Sequence, residues 1–109
     1  MLPMPNHRRR LAKNGDLRDA LGMTLYTYAP DGTSGTSHCT GPCAAVWPPY
    51  SADPGARAAG GFGLVTRTDH TLQWSYGGRP LYRYAADTAP GMTKGDGVNG
   101  VWHVARAGQ

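Results

Sequence analysis

Two cysteines, a few histidines and two aspartates are the residues of this sequence whose types and spacing could do chemistry. Cys39 and Cys43 enclose Thr40-Gly41-Pro42. A Gly-Pro turn between them could bring the α-carbons within disulfide reach, about 4.4–6.8 Å. A structural disulfide is the favoured reading, and so small a loop would gain only about 2 kcal/mol from it. A redox dithiol is the second reading, although the spacing is not Cys-x-x-Cys and no βαβ pattern surrounds it. Metal binding is the third. His38, Cys39, Cys43 and His103, with Met92, offer the imidazole, thiolate and thioether donors that suit copper or zinc. His38 and Cys39 are neighbours and diverge on an extended chain, which weakens that set. Covalent haem would need Cys-x-x-Cys-His, which the sequence lacks, and nothing points to a resident cofactor.

Asp31 and Asp87 belong to a phrase that the chain states twice. Gly22-Met-Thr-Leu-Tyr26-Thr-Tyr28-Ala-Pro-Asp31 is matched by Gly78-Arg-Pro-Leu-Tyr82-Arg-Tyr84-Ala-Ala-Asp87, at a constant offset of 56 residues. Gly35 and Gly41 map to Gly91 and Gly97, and Val46-Trp47 maps to Val101-Trp102 after a one-residue deletion. Such repetition implies two copies of one supersecondary unit. Each aspartate opens a Gly-bearing loop, where a carboxylate commonly accepts backbone N–H bonds of its own turn. As a sharper alternative, two carboxylates at equivalent positions could meet across a two-fold axis as a general-acid pair. No nucleophile or oxyanion-hole motif accompanies them, and no phosphate loop, dinucleotide fingerprint, HExxH or GxSxG is present. Catalytic residues are therefore assigned to none.

The elements that must position these residues read as strands. Glu is absent, Asp supplies all seven acids, and Gly 16 with Pro 9 in 109 residues favours turns over helices. Met23–Tyr28 predicts a strand with Tyr26 and Tyr28 on one face and Leu25 and Thr27 on the other. Leu17–Ala20 predicts a short strand, and Ala44–Trp47 a single helical turn ended by Pro48-Pro49. Residues 50–61, small and polar, read as a connector. Gly63–Thr68 and Thr71–Tyr76 flank a two-residue turn at Asp69-His70. Gly77-Gly78 then leads into a strand over Arg79–Tyr84, completing an antiparallel meander. A Gly-rich loop over 91–100 precedes a last strand, Val101–Ala105. The expectation is an all-β or mainly β domain over 15–107, with repeat one at about 22–50, a hairpin at 62–77 and repeat two at about 78–105. Residues 1–14 read as a disordered leader. The Tyr pairs with Trp47, Trp74 and Trp102 predict an aromatic core, with a sugar- or peptide-binding groove as the alternative.

Charge restricts the partners. The net charge of +4 is concentrated at the start, where Arg8, Arg9, Arg10, Lys13 and Arg18 stand against Asp16 and Asp19. Beyond residue 20 acids and bases nearly balance, so a nucleic-acid face is not expected, and His7-Arg-Arg-Arg10 reads as a solvated run. No apolar stretch is long enough to span a membrane, and residues 1–20 lack the apolar core of a signal peptide. A monomer is expected.

The doubled phrase resembles the bacterial secreted-repeat lipoprotein family, which is described by a Tyr-x-(Phe/Trp/Tyr)-x-x-Asp motif. Tyr26-Thr-Tyr28-Ala-Pro-Asp31 and Tyr82-Arg-Tyr84-Ala-Ala-Asp87 both fit it. The similarity extends to Cys39-Thr-Gly-Pro-Cys43-Ala-Ala-Val-Trp47-Pro-Pro, to Gln73-Trp-Ser-Tyr76-Gly-Gly-Arg-Pro-Leu-Tyr82, and to Pro90-Gly-Met-Thr-Lys-Gly-Asp-Gly-Val-Asn-Gly-Val-Trp102-His103. The resemblance implies an exported envelope protein, often lipid-anchored, with no assigned biochemical role. Export would agree with a Cys39–Cys43 disulfide, since oxidising compartments preserve such bonds. No lipid-attachment Cys is seen near residue 1. Where this chain has His70 the family tends to have Gly, and His would cost more if φ is positive there. The expected function is a secreted or periplasmic envelope module with a structural or binding role toward an envelope component or small ligand, and no catalysis. The alternative is a periplasmic redox or copper/zinc-handling protein that uses Cys39 and Cys43.

Overall fold

The computed structural model describes residues 9–11 and 15–107. The strands in chain order are β1 (Arg9–Leu11), β2 (Leu17–Asp19), β3 (Tyr26–Tyr28), β4 (Ser51–Ala52), β5 (Phe62–Thr66), β6 (Leu72–Tyr76), β7 (Arg79–Pro80) and β8 (Trp102–Val104). Between them lie one short helix, α1 (Pro42–Val46), and 3-10 turns at Ala29–Asp31 and Val98–Gly100. The fold is thus mainly β, with antiparallel pairing throughout.

The two copies of the phrase meet at their tyrosines. Tyr26 and Tyr82 lie antiparallel, and each N–H donates to the other's carbonyl, at 2.8 and 2.9 Å. Equivalent bonds repeat outward from this point. Ala29 N–H donates to the Val101 carbonyl at 2.8 Å, and Ala85 N–H to the Val46 carbonyl at 2.9 Å. Ala105 N–H donates to Leu25 at 2.8 Å, and Tyr50 N–H to Leu81 at 2.9 Å. An approximate two-fold axis therefore runs through the Tyr26–Tyr82 pair, and each flanking ladder joins a strand of one repeat to a strand of the other.

Strand alternation sorts the core into two clusters on either side of this ladder. Tyr26, Cys39, Trp47, Tyr82, Trp102 and Val104 pack on one side, with Tyr28 and Tyr84 half-buried against them. Leu17, Leu25, Phe62, Trp74, Leu81 and Ala105 form the other. The expected faces of Tyr26 and Leu25 are those observed.

The meander forms as β5-β6-β7, with β5 along one edge of β6 and β7 and β4 sharing the other. Two segments differ from expectation. The strand expected over Arg79–Tyr84 pairs with β6 only through Pro80. Leu81 still donates to the Trp74 carbonyl at 2.9 Å, but the next residue, Tyr82, turns its backbone to Tyr26 and Pro49. The connector over 50–61 contains β4, whose Ser51 and Ala52 pair with Gln73 and Leu72. In the segment expected to be a leader, Arg9–Leu11 form β1 against β2, and 1–8 and 12–14 lie outside the described residues. Helix α1 ends at Trp47, as the two prolines that follow require.

The loop that joins β5 to β6 is Thr68-Asp69-His70, one residue longer than the expected two-residue turn at Asp69-His70, and it is closed by Arg67 N–H donating to the Thr71 carbonyl at 2.9 Å. His70 sits there at φ 70, a region that costs an L-residue about 1–2 kcal/mol and costs glycine little. Its N–H donates to the Arg67 carbonyl at 2.9 Å, a bond that any residue retains. His70→Gly is therefore expected to raise stability by roughly 0.5–1 kcal/mol, measured as an increased urea midpoint with unchanged m-value.

Candidate functional site

The repeat carboxylates are exchanged between the halves. Tyr26 of the first repeat donates its hydroxyl to Asp87 Oδ2 of the second at 2.6 Å, and Tyr82 of the second donates to Asp31 Oδ2 of the first at 2.5 Å. Both tyrosines are wholly buried, and Asp31 and Asp87 nearly so. The second oxygen of each carboxylate caps the loop that follows. Asp31 Oδ1 accepts from His38 N–H at 2.7 Å, and Asp87 Oδ1 accepts from Lys94 N–H at 2.9 Å, seven residues on in both cases. A buried carboxylate is tolerable only when such donors replace its water. Burial first, and the adjoining carboxylate second, push the Tyr82 phenol up to about 12 and raise that of Tyr26 in the same way.

The aromatic rings obey the same symmetry. Trp47 and Trp102 stack at 3.8 Å with 2° between their planes. Tyr84 stacks on the outer side of Trp47 at 4.0 Å, and Tyr28 on that of Trp102 at 4.3 Å. Tyr26 meets Trp47 edge-on at 5.4 Å, and Tyr82 meets Trp102 at 5.2 Å. Gly95 admits this arrangement, because a Cβ there would stand 2.6 Å from the Trp47 ring and 3.0 Å from that of Tyr26. Its N–H donates to the Tyr26 hydroxyl at 3.2 Å.

Cys39 occupies the matching position in repeat one, and there the symmetry breaks. Cys39 and Cys43 form a disulfide with α-carbons 5.2 Å apart. The Cys39 carbonyl accepts from Arg67 Nη2 at 2.8 Å, while Arg67 Nη1 donates to Ser37 Oγ and Gln73 Oε1, each at 2.8 Å. Ser37 Oγ lies 2.6 Å from the Tyr82 hydroxyl. Because the Tyr82 proton is given to Asp31, Ser37 must be the donor in that contact. A directed chain therefore runs from the Arg67 guanidinium through two hydroxyls to the Asp31 carboxylate. Arg67 is 8% exposed, and sequence reading had passed over it as an ordinary strand residue. A cation at the end of a half-buried strand is the signal that could have marked it.

The secreted-repeat family of unknown function matches residues 12–50 and 63–106. The chain belongs to that family. No curated protein and no solved structure matches it. Each matched segment contains one of the halves related by the Tyr26–Tyr82 axis, the second also taking in nearly all of the β5-β6 hairpin, and residues 51–62 fall between them.

The remaining sequence-predicted residues are dispersed. Asp31 Oδ1 also lies 3.1 Å from His38 Nδ1, while both cysteine sulfurs are engaged in the disulfide and His103 is exposed on β8. Met92 Sδ accepts from Thr88 N–H at 3.3 Å. Among the described residues no group of three or more His, Cys, Asp or Glu side chains is placed to hold a metal ion. Trp47 and Trp102 belong to the buried stack, and Trp74 lies in the other cluster, bordering an open cleft of about 790 Å³. That cleft lies between the turn after β2 and the connector. Asp19, Tyr50, Ser51, Asp53 and Arg57 also line it. Its polar residues show no motif in the sequence and were missed.

Removing the Tyr82 hydroxyl leaves Asp31 buried and short of a donor. Tyr82→Phe is expected to cost about 1.5–3 kcal/mol, and adding Asp31→Asn should recover part of that by removing the charge. The raised phenols also set an alkaline limit. An unfolded tyrosine ionises near pH 10, so the stability they contribute is complete below about pH 10 and falls as pH rises toward about 12. A spectrophotometric titration should show a late-ionising tyrosinate fraction that shrinks in Tyr82→Phe.

Proposed function

We propose that this protein is a secreted or envelope-associated binding module whose repeat motif is scaffold, with no catalytic role for Asp31 or Asp87. One observation carries the reading: every carboxylate oxygen of Asp31 and Asp87 is already bonded to a tyrosine of the opposite repeat or to its own loop. A general acid or base needs an oxygen that a substrate proton can reach, and both aspartates are buried. The family's description as secreted and the Cys39–Cys43 disulfide support a location outside the reducing cytosol. Among the described residues no helix is long and apolar enough to cross a membrane. The open cleft beside Trp74 supports a binding role, since it is concave, partly apolar and dotted with polar groups.

The reading is tested by expressing the gene with its own upstream sequence in its host, fractionating the cells and alkylating without reductant. The protein should appear outside the cytoplasm with Cys39 and Cys43 unmodified, and reduction should release two alkylatable thiols at a cost of about 2 kcal/mol in stability. Free thiols in a cytoplasmic fraction would overturn it. A rival redox or metal-handling role requires these cysteines to cycle or to ligate. Stoichiometric copper or zinc, lost in Cys39→Ser, would establish that rival.

A further inference from the structure

We infer that the cleft beside Trp74 is a carbohydrate site that takes a short neutral oligosaccharide, an inference that rests on the binding-module reading and names its ligand class. The cleft is a feature of the molecule that the two-fold arrangement does not explain. One wall comes from the interval 51–62 that the family's two matched segments leave out, and the rest, with Asp19, Leu21, Tyr50 and Trp74, from the matched segments themselves.

Its chemistry suits a polyhydroxylated ligand. Half-buried Tyr50 and Trp74, which is 9% exposed, border it, and aromatic rings offer an apolar body that complements the C–H face of a pyranose. The charged lining is mixed: carboxylates at Asp19 and Asp53, and a guanidinium at Arg57. An anionic ligand would meet Asp19 and Asp53 and a cationic one Arg57, whereas sugar hydroxyls can donate to carboxylates and accept from a guanidinium. Small Gly and Ala residues elsewhere in 55–59 leave the space open, and the volume of about 790 Å³ lies within the range of small-ligand sites, about 300–1,000 Å³.

Asp19 makes this a built site. Its side chain is 9% exposed. Oδ1 is spent on the turn, accepting from Leu21 N–H at 2.9 Å and Met23 N–H at 3.0 Å. Oδ2 accepts no hydrogen bond among the described residues. Arg83 Nη1 stands 3.8 Å from it, within ion-pair range but beyond hydrogen-bond reach, and Arg83 does not border the cleft. A carboxylate oxygen of a mostly buried side chain that accepts no hydrogen bond among the described residues has capacity to accept from a ligand hydroxyl. Arg57 likewise has no hydrogen bond or ion pair among the described residues, on the opposite side of the charge balance.

The test is titration of the full chain, labelled with ¹⁵N, with chitotriose and cellotriose as neutral probes and the tripeptide Ala-Ala-Ala as comparison. Asp19→Asn keeps an oxygen for the Leu21 and Met23 amides while removing the charge, and Arg57→Ala alters an exposed side chain, so both variants should fold. One or both sugars should shift the Trp74 indole and the 53–59 amides, and each substitution should weaken binding by about tenfold or more. Sugar binding that ignores both substitutions, or that shifts only the outer rings of Tyr28 and Tyr84, would overturn the site. Perturbation of the cleft by the peptide but by neither sugar would overturn the ligand class and leave the binding-module reading standing. A cleft unmoved by every probe would remove the inference and leave the module a purely structural role.

Discussion

The exchange of tyrosine hydroxyls for carboxylates across the Tyr26–Tyr82 axis is the constraint on which the rest depends. Each half buries a charge that it cannot satisfy alone, because the hydroxyl that Asp31 needs is on Tyr82 and the one that Asp87 needs is on Tyr26. An isolated repeat would lack the hydroxyl donor and the covering surface that allow its carboxylate to be buried. The halves are therefore obligate partners within one chain. The backbone pair at the same point fixes their register to the residue, and a slip by one would turn both tyrosines to the opposite face.

Around that centre, stacking and polar satisfaction act on different scales. The Tyr28–Trp102–Trp47–Tyr84 stack supplies the apolar area that a small domain with many Gly and Pro residues otherwise lacks, and offset ring contacts add to area burial. The carboxylate bonds supply specificity, because an Asp loop oriented any other way leaves a buried charge unpaired. Repeat one adds a disulfide and the Arg67 chain, whereas repeat two closes its loop on Gly95 with nothing larger than a hydrogen atom between two rings. The duplicated halves thus meet one packing problem with different local means, and the β5-β6 hairpin reaches the first half through Arg67 and the second through Gln73, whose Nε2 donates to the Leu81 carbonyl.

The cleft follows from where the duplication stops. Two halves that bury Asp31, Asp87, Tyr26, Tyr82, Trp47 and Trp102 against each other leave little room at their centre, and the open cleft lies toward the part of the chain outside the symmetry. The connector, anchored at one end by β4 on β6, is that part. Its small residues are poor core formers and good walls for a cleft, and Asp19, fixed by its own turn, puts a charge on the facing side.

Periodicity and repetition were enough for the local and pairwise facts. The constant offset showed two copies, alternation along Met23–Tyr28 placed the tyrosines on one face, and the 69–70 turn and Pro48-Pro49 set a hairpin and a helix end, because each follows from backbone geometry within a few residues. The sequence also gave both roles of the aspartates as options, and their loop-capping role lay within reach of local chemistry. It could not show that each aspartate answers to the other repeat's tyrosine, that strand Arg79–Tyr84 divides between two ladders at Leu81, or that Arg67 reaches a carboxylate through Ser37 and Tyr82. Those depend on contacts between residues separated by 30 to 61 positions, and no local preference encodes which distant partner will satisfy a buried charge. Tertiary structure decides that, because only the assembled core removes the water that would otherwise have served every one of those groups equally well.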